Sequence, residues 1–122
     1  TGSSMAANAK SDAMLSPEAM STFAAYYLGD TNPKAPLASP IFADLSDLPP
    51  TLVLVGSQEV LLSDSETLVE KINAAGGNAR LSVWPKMPHV FPILAAIIPE
   101  GKKAMTDMAE FLRIHLGTTR LD

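Results

Sequence analysis

Hydrophobic and polar positions along this chain first follow a helical spacing. After Ser16-Pro17-Glu18, apolar residues recur every three or four positions up to Leu28. A serine followed by proline and an acidic residue is typical of a helix N-terminus, and Gly29 is a common helix end. The pattern therefore predicts a helix whose Met and aromatic stripe packs into a core.

The middle of the chain switches between strand and helix patterns. Residues 51–55 are continuously apolar and rich in β-branched side chains, which predicts a strand buried on both faces and ended by Gly56. Residues 63–66 are typical of a helix cap and first turn, with Asp64 as the cap. Alternation over residues 79–84 predicts a second strand. Strand, helix and strand form one right-handed crossover, so the strands are parallel.

The remaining segments supply no further strand. A proline-rich connector spans residues 29–50, a short apolar stretch with helical turns follows at 91–98, and a last helix begins at Pro99 and ends before Gly117. Sheets usually have about five or six strands. Two apolar strands need neighbours that this chain does not contain, so it has the pattern of the C-terminal part of a larger α/β domain.

Composition excludes several classes of function. With 47% hydrophobic and 18% charged residues and a mean hydropathy of +0.16, the 122 residues are globular in type. The net charge of -4 is scattered, so nucleic acid is not expected as a partner. The absence of cysteine rules out disulfides and thiolate sites. No apolar run approaches the ~20 residues of a membrane span and no signal peptide is visible, so we expect a cytoplasmic location.

Two ionisable residues follow the two predicted strands. Glu59 lies three residues beyond Gly56, and His89 lies five beyond Trp84. Because the carboxyl ends of parallel strands meet at one edge of a sheet, we expect these side chains to lie close together. A carboxylate that accepts a hydrogen bond from imidazole fixes its tautomer and stabilises the imidazolium. The alternative is an ordinary solvated loop carboxylate beside a capped loop histidine.

A metal site is not indicated by the histidine pattern. His89 and His115 are the only histidines, and neither stands in a cluster with ligand spacing. His115 falls in the last turn of a predicted helix, where a cation is favoured, so we assign it a structural role. No cofactor is expected.

Residues 38–65, which hold the first strand, Gly56 and Glu59, resemble the C-terminal half of an α/β-hydrolase. The resemblance is closest to the hormone-sensitive-lipase-like branch of esterases and lipases. Residues 83–91 resemble the loop of that family that bears the catalytic histidine, and the thirty residues between Glu59 and His89 suit the family. The similarity extends from about Met14 to Leu116.

The resemblance implies roles for individual residues. His89 is the general base of a catalytic triad and Glu59 is its acid. Asp64 is the alternative acid, because Ser63 stands where many relatives carry an acidic residue, four positions after the catalytic acid. Residues 1–35 form a helical lid segment and residues 36–122 the C-terminal half of the core. The candidates for contact with substrate are Met20, Phe23, Tyr26, Tyr27 and Phe91.

Two motifs that the family requires are absent. The chain contains neither a Gly-x-Ser-x-Gly nucleophile elbow nor an HGGG-type oxyanion loop, and both belong upstream of Thr1. We therefore expect an esterase that is inactive as this chain alone and is completed by an N-terminal fragment of the same hydrolase. The substrates are carboxylic esters of modest size, because the apolar lid offers no charge for an ionic substrate. Lactones and carbamates would use the same machinery, and a homo-oligomer of the assembled enzyme is compatible with the sequence.

Two other functions remain open at this point. An autoprocessed hydrolase would use Thr1 as an N-terminal nucleophile activated by its own amine. A binding or dimerisation module derived from a hydrolase would have no catalytic role.

Overall fold

The computed structural model describes residues 2–117, which form two compact units, one ending at His89 and the other beginning at Val90. Two short 3-10 helices occupy Pro40–Phe42 and Phe91–Leu94. The other elements, in chain order, are α1 (Ser4–Ala7), α2 (Pro17–Leu28), β1 (Thr51–Gly56), α3 (Leu62–Ala74), β2 (Ala79–Trp84) and α4 (Pro99–Leu116).

The predicted parallel crossover is confirmed. Strands β1 and β2 pair in parallel, with Thr51 opposite Ala79 and Gly56 opposite Trp84, and α3 packs on both strands. The buried apolar side chains of these elements include Val55 of β1 and Val69 and Ile72 of α3, and Val60, in the loop between them, is also buried. Burial of β1 on both faces holds only at its C-terminal end, because the described sheet has two strands and residues 51–54 stay half-exposed.

Helix α2 forms as its terminal signals predict, but its apolar stripe is not packed. Ser16 Oγ accepts a hydrogen bond from the Ala19 amide at 3.1 Å, and Gly29 ends the helix with a φ of 51°. None of the residues of α2 is buried, and the aromatic side chains of its stripe are exposed. Within residues 2–117 no part of the chain covers this stripe, so its packing into a core stays a prediction for the rest of the fold.

Helix α3 begins differently from the prediction. Its cap position is Leu61, which makes no side-chain cap hydrogen bond, and Asp64 lies in the first turn, so the assignment of Asp64 as the cap is wrong. The serine before it is engaged elsewhere: the amide of Ser4 donates to Ser63 Oγ at 3.0 Å. An acidic side chain in the first turn still complements the partial positive charge of the helix N-terminus.

The second unit consists of the 3-10 turn Phe91–Leu94 packed against α4. Gly101 permits this packing, because a Cβ there would lie 2.9 Å from the Ala95 nitrogen. The ring of His115 lies 4.4 Å from that of Phe111, centroid to centroid, in the last turns of α4. Across residues 2–117, no helix combines the length and the apolar character needed to cross a membrane.

Candidate active site

The loops after β1 and β2 bring Glu59 and His89 together. His89 Nδ1 lies 2.8 Å from Glu59 Oε2. The other carboxylate oxygen, Oε1, accepts a hydrogen bond from the Gly56 amide at 2.5 Å. The Glu59 residue is only 3% exposed, whereas the His89 side chain is 32% exposed. A buried carboxylate needs partners for its charge, and both of its oxygens have one here.

Close backbone approach between the two loops sets this distance. A Cβ on Gly56 would overlap the carbonyl oxygen of Met87 and lie 2.6 Å from its carbonyl carbon, so only glycine fits there. The two loops are also joined by hydrogen bonds from the Ser57 amide to the Trp84 carbonyl, at 2.9 Å, and from the Lys86 amide to Ser57 Oγ, at 3.0 Å. The pair is thus positioned by the backbone of both loops.

The loop that bears His89 contains unusual backbone conformations. Lys86 and Val90 have positive φ angles, 59° and 50°, three residues before and one residue after His89. Left-handed backbone is uncommon outside glycine and is a genuine outlier for a β-branched residue such as valine. Such strain clusters at functional sites, where the surrounding structure holds it in place.

The geometry defines which proton the histidine can move. When Nδ1–H donates to the Glu59 carboxylate, Nε2 keeps a free lone pair and can accept a proton from a hydroxyl group. The carboxylate then stabilises the imidazolium that forms. Asp64, the alternative acid, lies in the first turn of α3, and the carboxylate bonded to Nδ1 is that of Glu59. The arrangement is an acid–base pair suited to general-base catalysis.

The N-terminal segment supplies polar residues that sequence reasoning missed. The Asn8 side-chain amide donates to the carbonyls of Ser57, at 3.2 Å, and Glu59, at 2.8 Å. Asp12 Oδ2 accepts a hydrogen bond from the Val60 amide at 2.8 Å. Ser4 Oγ donates to the Val60 carbonyl at 2.6 Å. The available signal was their spacing: these three polar residues stand four positions apart, as on one face of a helix.

The Asp12 carboxylate is held in its charged form. Burial raises its pKa, but hydrogen bonds from the amides of Leu15, Met14 and Val60, together with the charge of His89, outweigh this effect and lower the pKa below its usual value.

The proposed substrate-contacting residues lie in different surroundings. On α2, Met20 is half-buried, while Phe23, Tyr26 and Tyr27 are exposed, and Tyr27 lines a shallow groove with the connector at residues 31–38. Phe91, in the second unit, is buried. Their contact with substrate stays a prediction. Thr1 lies outside the described residues. Within 2–117, no three His, Asp or Glu side chains are grouped to hold a metal ion.

Comparison with known proteins identifies the family. A family model described as the alpha/beta hydrolase fold matches residues 1–93. The chain belongs to this family. The hydrolase chain is 43% identical to an esterase of Acinetobacter venetianus over 112 residues, which are 91% of the chain and 37% of that protein. It is 42% identical to an acetyl-hydrolase of Streptomyces hygroscopicus over 91 residues, which are 75% of the chain and 30% of that protein.

Solved structures place the hydrolase chain more narrowly. It matches an esterase of the bacterial hormone-sensitive lipase family with a TM-score of 0.92 and 50% identity, over 94% of the chain and 39% of that structure. It matches EstE5, soaked with p-nitrophenyl butyrate, with a TM-score of 0.91 and 40% identity, over 97% of the chain and 40% of that structure. The expected hormone-sensitive-lipase-like fold is thus confirmed, and the chain spans about two fifths of the length of these structures.

Proposed function

We propose that this hydrolase chain supplies the acid and the base of a serine carboxylic-ester hydrolase, Glu59 as acid and His89 as base. The observation that supports this most is the 2.8 Å hydrogen bond between His89 Nδ1 and the buried Glu59 carboxylate, at the carboxyl edge of two parallel strands. The nucleophilic serine and the oxyanion hole belong to the N-terminal part of the fold.

In this reaction His89 moves one proton in each of four steps. Its Nε2 takes the proton of the serine hydroxyl as the serine oxygen attacks the ester carbonyl. The imidazolium, stabilised by Glu59, then gives this proton to the alkoxide oxygen, which leaves as the alcohol. In the second half, Nε2 takes a proton from water as the water attacks the acyl-enzyme. It returns that proton to the serine oxygen as the carboxylic acid leaves.

The rest of the fold is the partner that this proposal requires. We use the term assembled hydrolase for this chain together with the N-terminal part of the hydrolase fold, which lies in the portion of its relatives that the chain does not match. Two observations support such a partner: β1 stays half-exposed in a two-stranded sheet, and α2 exposes its aromatic stripe. We propose that the N-terminal part is a second polypeptide with an apolar, obligate interface. A cytoplasmic location stays a prediction.

The substrates that we propose are carboxylic esters with short acyl groups. The related acetyl-hydrolase and the structure soaked with p-nitrophenyl butyrate support this choice. The exposed side chains on α2, Phe23 and Tyr27, are apolar or aromatic and present no charge to an ionic substrate. Hydrolysis of p-nitrophenyl acetate and butyrate is therefore the assay of choice.

The test replaces each member of the pair in the assembled hydrolase. We expect His89→Ala to abolish turnover and Glu59→Gln to lower kcat by about 10³-fold or more, because the imidazole loses its orienting acid. The matched controls are His115→Ala and Glu66→Gln, which alter a helix-end histidine and an exposed acid of α3. Activity of His89→Ala within about tenfold of the parent contradicts the proposal. Loss in Asp64→Asn with none in Glu59→Gln assigns the acid to Asp64 instead.

Native and denaturing mass spectrometry tests the assembly itself. A second, larger chain released on denaturation supports the proposed partner, and a lone 12.9 kDa species that hydrolyses esters contradicts it. In that case Thr1→Ala is the deciding variant, because an N-terminal nucleophile cannot be replaced by alanine. Failure of a serine-directed phosphonate to label the assembled protein supports a binding module instead.

A further inference from the structure

The N-terminal segment contacts the backbone of the loop that bears Glu59. The Asp12 carboxylate accepts three amide hydrogen bonds: Oδ2 from Val60 at 2.8 Å, and Oδ1 from Met14 and Leu15, both at 2.9 Å. One oxygen thus binds the residue that directly follows Glu59, and the other fixes the carboxylate to its own segment. Hydrogen bonds to a charged acceptor are about twice as strong as neutral ones.

The Asn8 side chain, four residues before Asp12, contacts the same loop. Its Nδ2 donates to the carbonyls of Ser57 and Glu59, and because both partners are acceptors, only the amide nitrogen can serve them. Asn8 and Asp12 together therefore hold the Glu59 carbonyl and the Val60 amide, on the two sides of the peptide bond that follows Glu59.

The segment is itself anchored to α3, so these contacts act on the loop from a fixed base. Ser4 exchanges three short hydrogen bonds with Ser63 and one with the Val60 carbonyl. A Cβ on Gly2 would overlap Ser63 Oγ, which shows how closely the segment lies on the start of α3. Ser4 and Ser63 are both buried.

From these contacts we propose that Asn8 and Asp12 are positioning residues for the Glu59–His89 pair, acting through the backbone on either side of Glu59. The inference rests on the proposed function. Neither residue touches the reacting atoms; they fix the peptide from which the Glu59 side chain projects. Losing this support lets the carboxylate drift from His89 Nδ1, and a misplacement of about 1 Å costs about 10²-fold in rate.

The experiment compares isosteric variants in the assembled hydrolase with p-nitrophenyl butyrate. In Asn8→Asp, a carboxylate oxygen faces the two carbonyl oxygens to which the amide nitrogen donates in the parent, so two hydrogen bonds become repulsive contacts. In Asp12→Asn, only one side-chain oxygen remains as an acceptor, whereas the three backbone amides use both carboxylate oxygens in the parent. We expect kcat to fall about 10- to 100-fold in each, with KM changed less than about threefold. Asn32→Asp and Asp44→Asn are the matched controls, because each alters a local turn of the connector. We expect both to keep the parent kcat.

Two further readouts separate positioning from general stability. The downfield proton resonance of His89 Nδ1–H, which reports its bond to Glu59, should weaken or shift in both variants and not in the controls. In the Glu59→Gln background, Asp12→Asn should cost less than about twofold, because the acid through which it acts is already lost.

The outcomes distinguish the two proposals. If His89→Ala is inactive but Asn8→Asp and Asp12→Asn keep kcat within about twofold and an unchanged Nδ1–H resonance, the positioning role is overturned and the proposed function stands. If His89→Ala keeps full activity, the proposed function itself fails. Phosphonate labelling counts the folded active sites in each preparation. If it finds none in both isosteric variants and in Asp12→Ala, the segment serves the fold alone and the positioning role is likewise overturned.

Discussion

Replacing Gly56 with alanine is the sharpest single test of how the loops that bear Glu59 and His89 are held together. The added Cβ would lie 2.6 Å from the Met87 carbonyl carbon, closer still to its oxygen, and 3.1 Å from Glu59 Oε1. Real Cβ atoms essentially never approach within 3.0 Å. The Met87 carbonyl is backbone and cannot rotate away as a side chain would, so the loop that bears His89 must shift.

The size of this shift determines how much rate and stability the Gly56→Ala variant loses. Restoring ordinary van der Waals contact with both atoms requires the Met87 carbonyl, two residues before His89, to retreat by at least about 1.5 Å, and a displacement of about 1 Å already costs about 10²-fold in rate. Overpacking of this kind also costs about 1–3 kcal/mol of stability. We therefore expect Gly56→Ala to lower kcat for p-nitrophenyl butyrate about 100-fold in the assembled hydrolase, with a lower melting temperature.

The matched control is Gly76→Ala. Gly76 has a φ of 86° with open space around its missing Cβ, so alanine there costs about 1–2 kcal/mol in left-handed strain without touching the loops. We expect equal or smaller destabilisation and an unchanged kcat. Comparison of the two variants separates misplacement of His89 from loss of stability. A Gly56→Ala enzyme with kcat within about twofold of the parent would refute the reasoning.

Two further predictions concern stability. Lys86→Gly should raise the free energy of unfolding by about 0.5–1 kcal/mol, because the left-handed strain that glycine relieves is larger than the chain entropy that it costs. Lys86→Ala should not raise it, since alanine keeps the strain. Chemical denaturation measures both variants, and an equal effect in the two contradicts the strain. Asp12 has a lowered pKa in the folded state, so it stabilises the fold above its unfolded pKa and loses this effect as pH falls through the folded value. The stability gap between the parent and Asp12→Asn should therefore be widest near neutral pH and close below about pH 4, and a constant gap would contradict it.

The sequence was sufficient to predict the crossover and the proximity of Glu59 and His89, because both depend on local signals. A continuous apolar run ended by Gly56 is enough to predict β1, and the alternation over Ala79–Trp84 is enough to predict β2. Once the strands are parallel, topology alone places the loops of Glu59 and His89 at one edge.

The support from the N-terminal segment was not predictable in the same way. Asn8 and Asp12 bond to backbone groups about fifty positions further along the chain, and backbone amides and carbonyls have no sequence signature. The error at Asp64 is one of position, because α3 begins at Leu62 and both Ser63 and Asp64 already lie in its first turn. For α2, an apolar stripe indicates that something covers the helix, but the spacing does not say which part of a protein does so.

The parallel register of β1 and β2 also determines which length changes this site tolerates. Gly56 lies opposite Trp84, so both loops leave the sheet at the same level. Deleting one residue within β2 would move the start of the His89 loop by about 3.3 Å and turn every following side chain to the other face of the sheet. That displacement exceeds the 2.8 Å length of the bond to Glu59. Insertions at the solvent-facing turn after α3 leave both strand ends in place, so natural or engineered length variation belongs there and not in the strands.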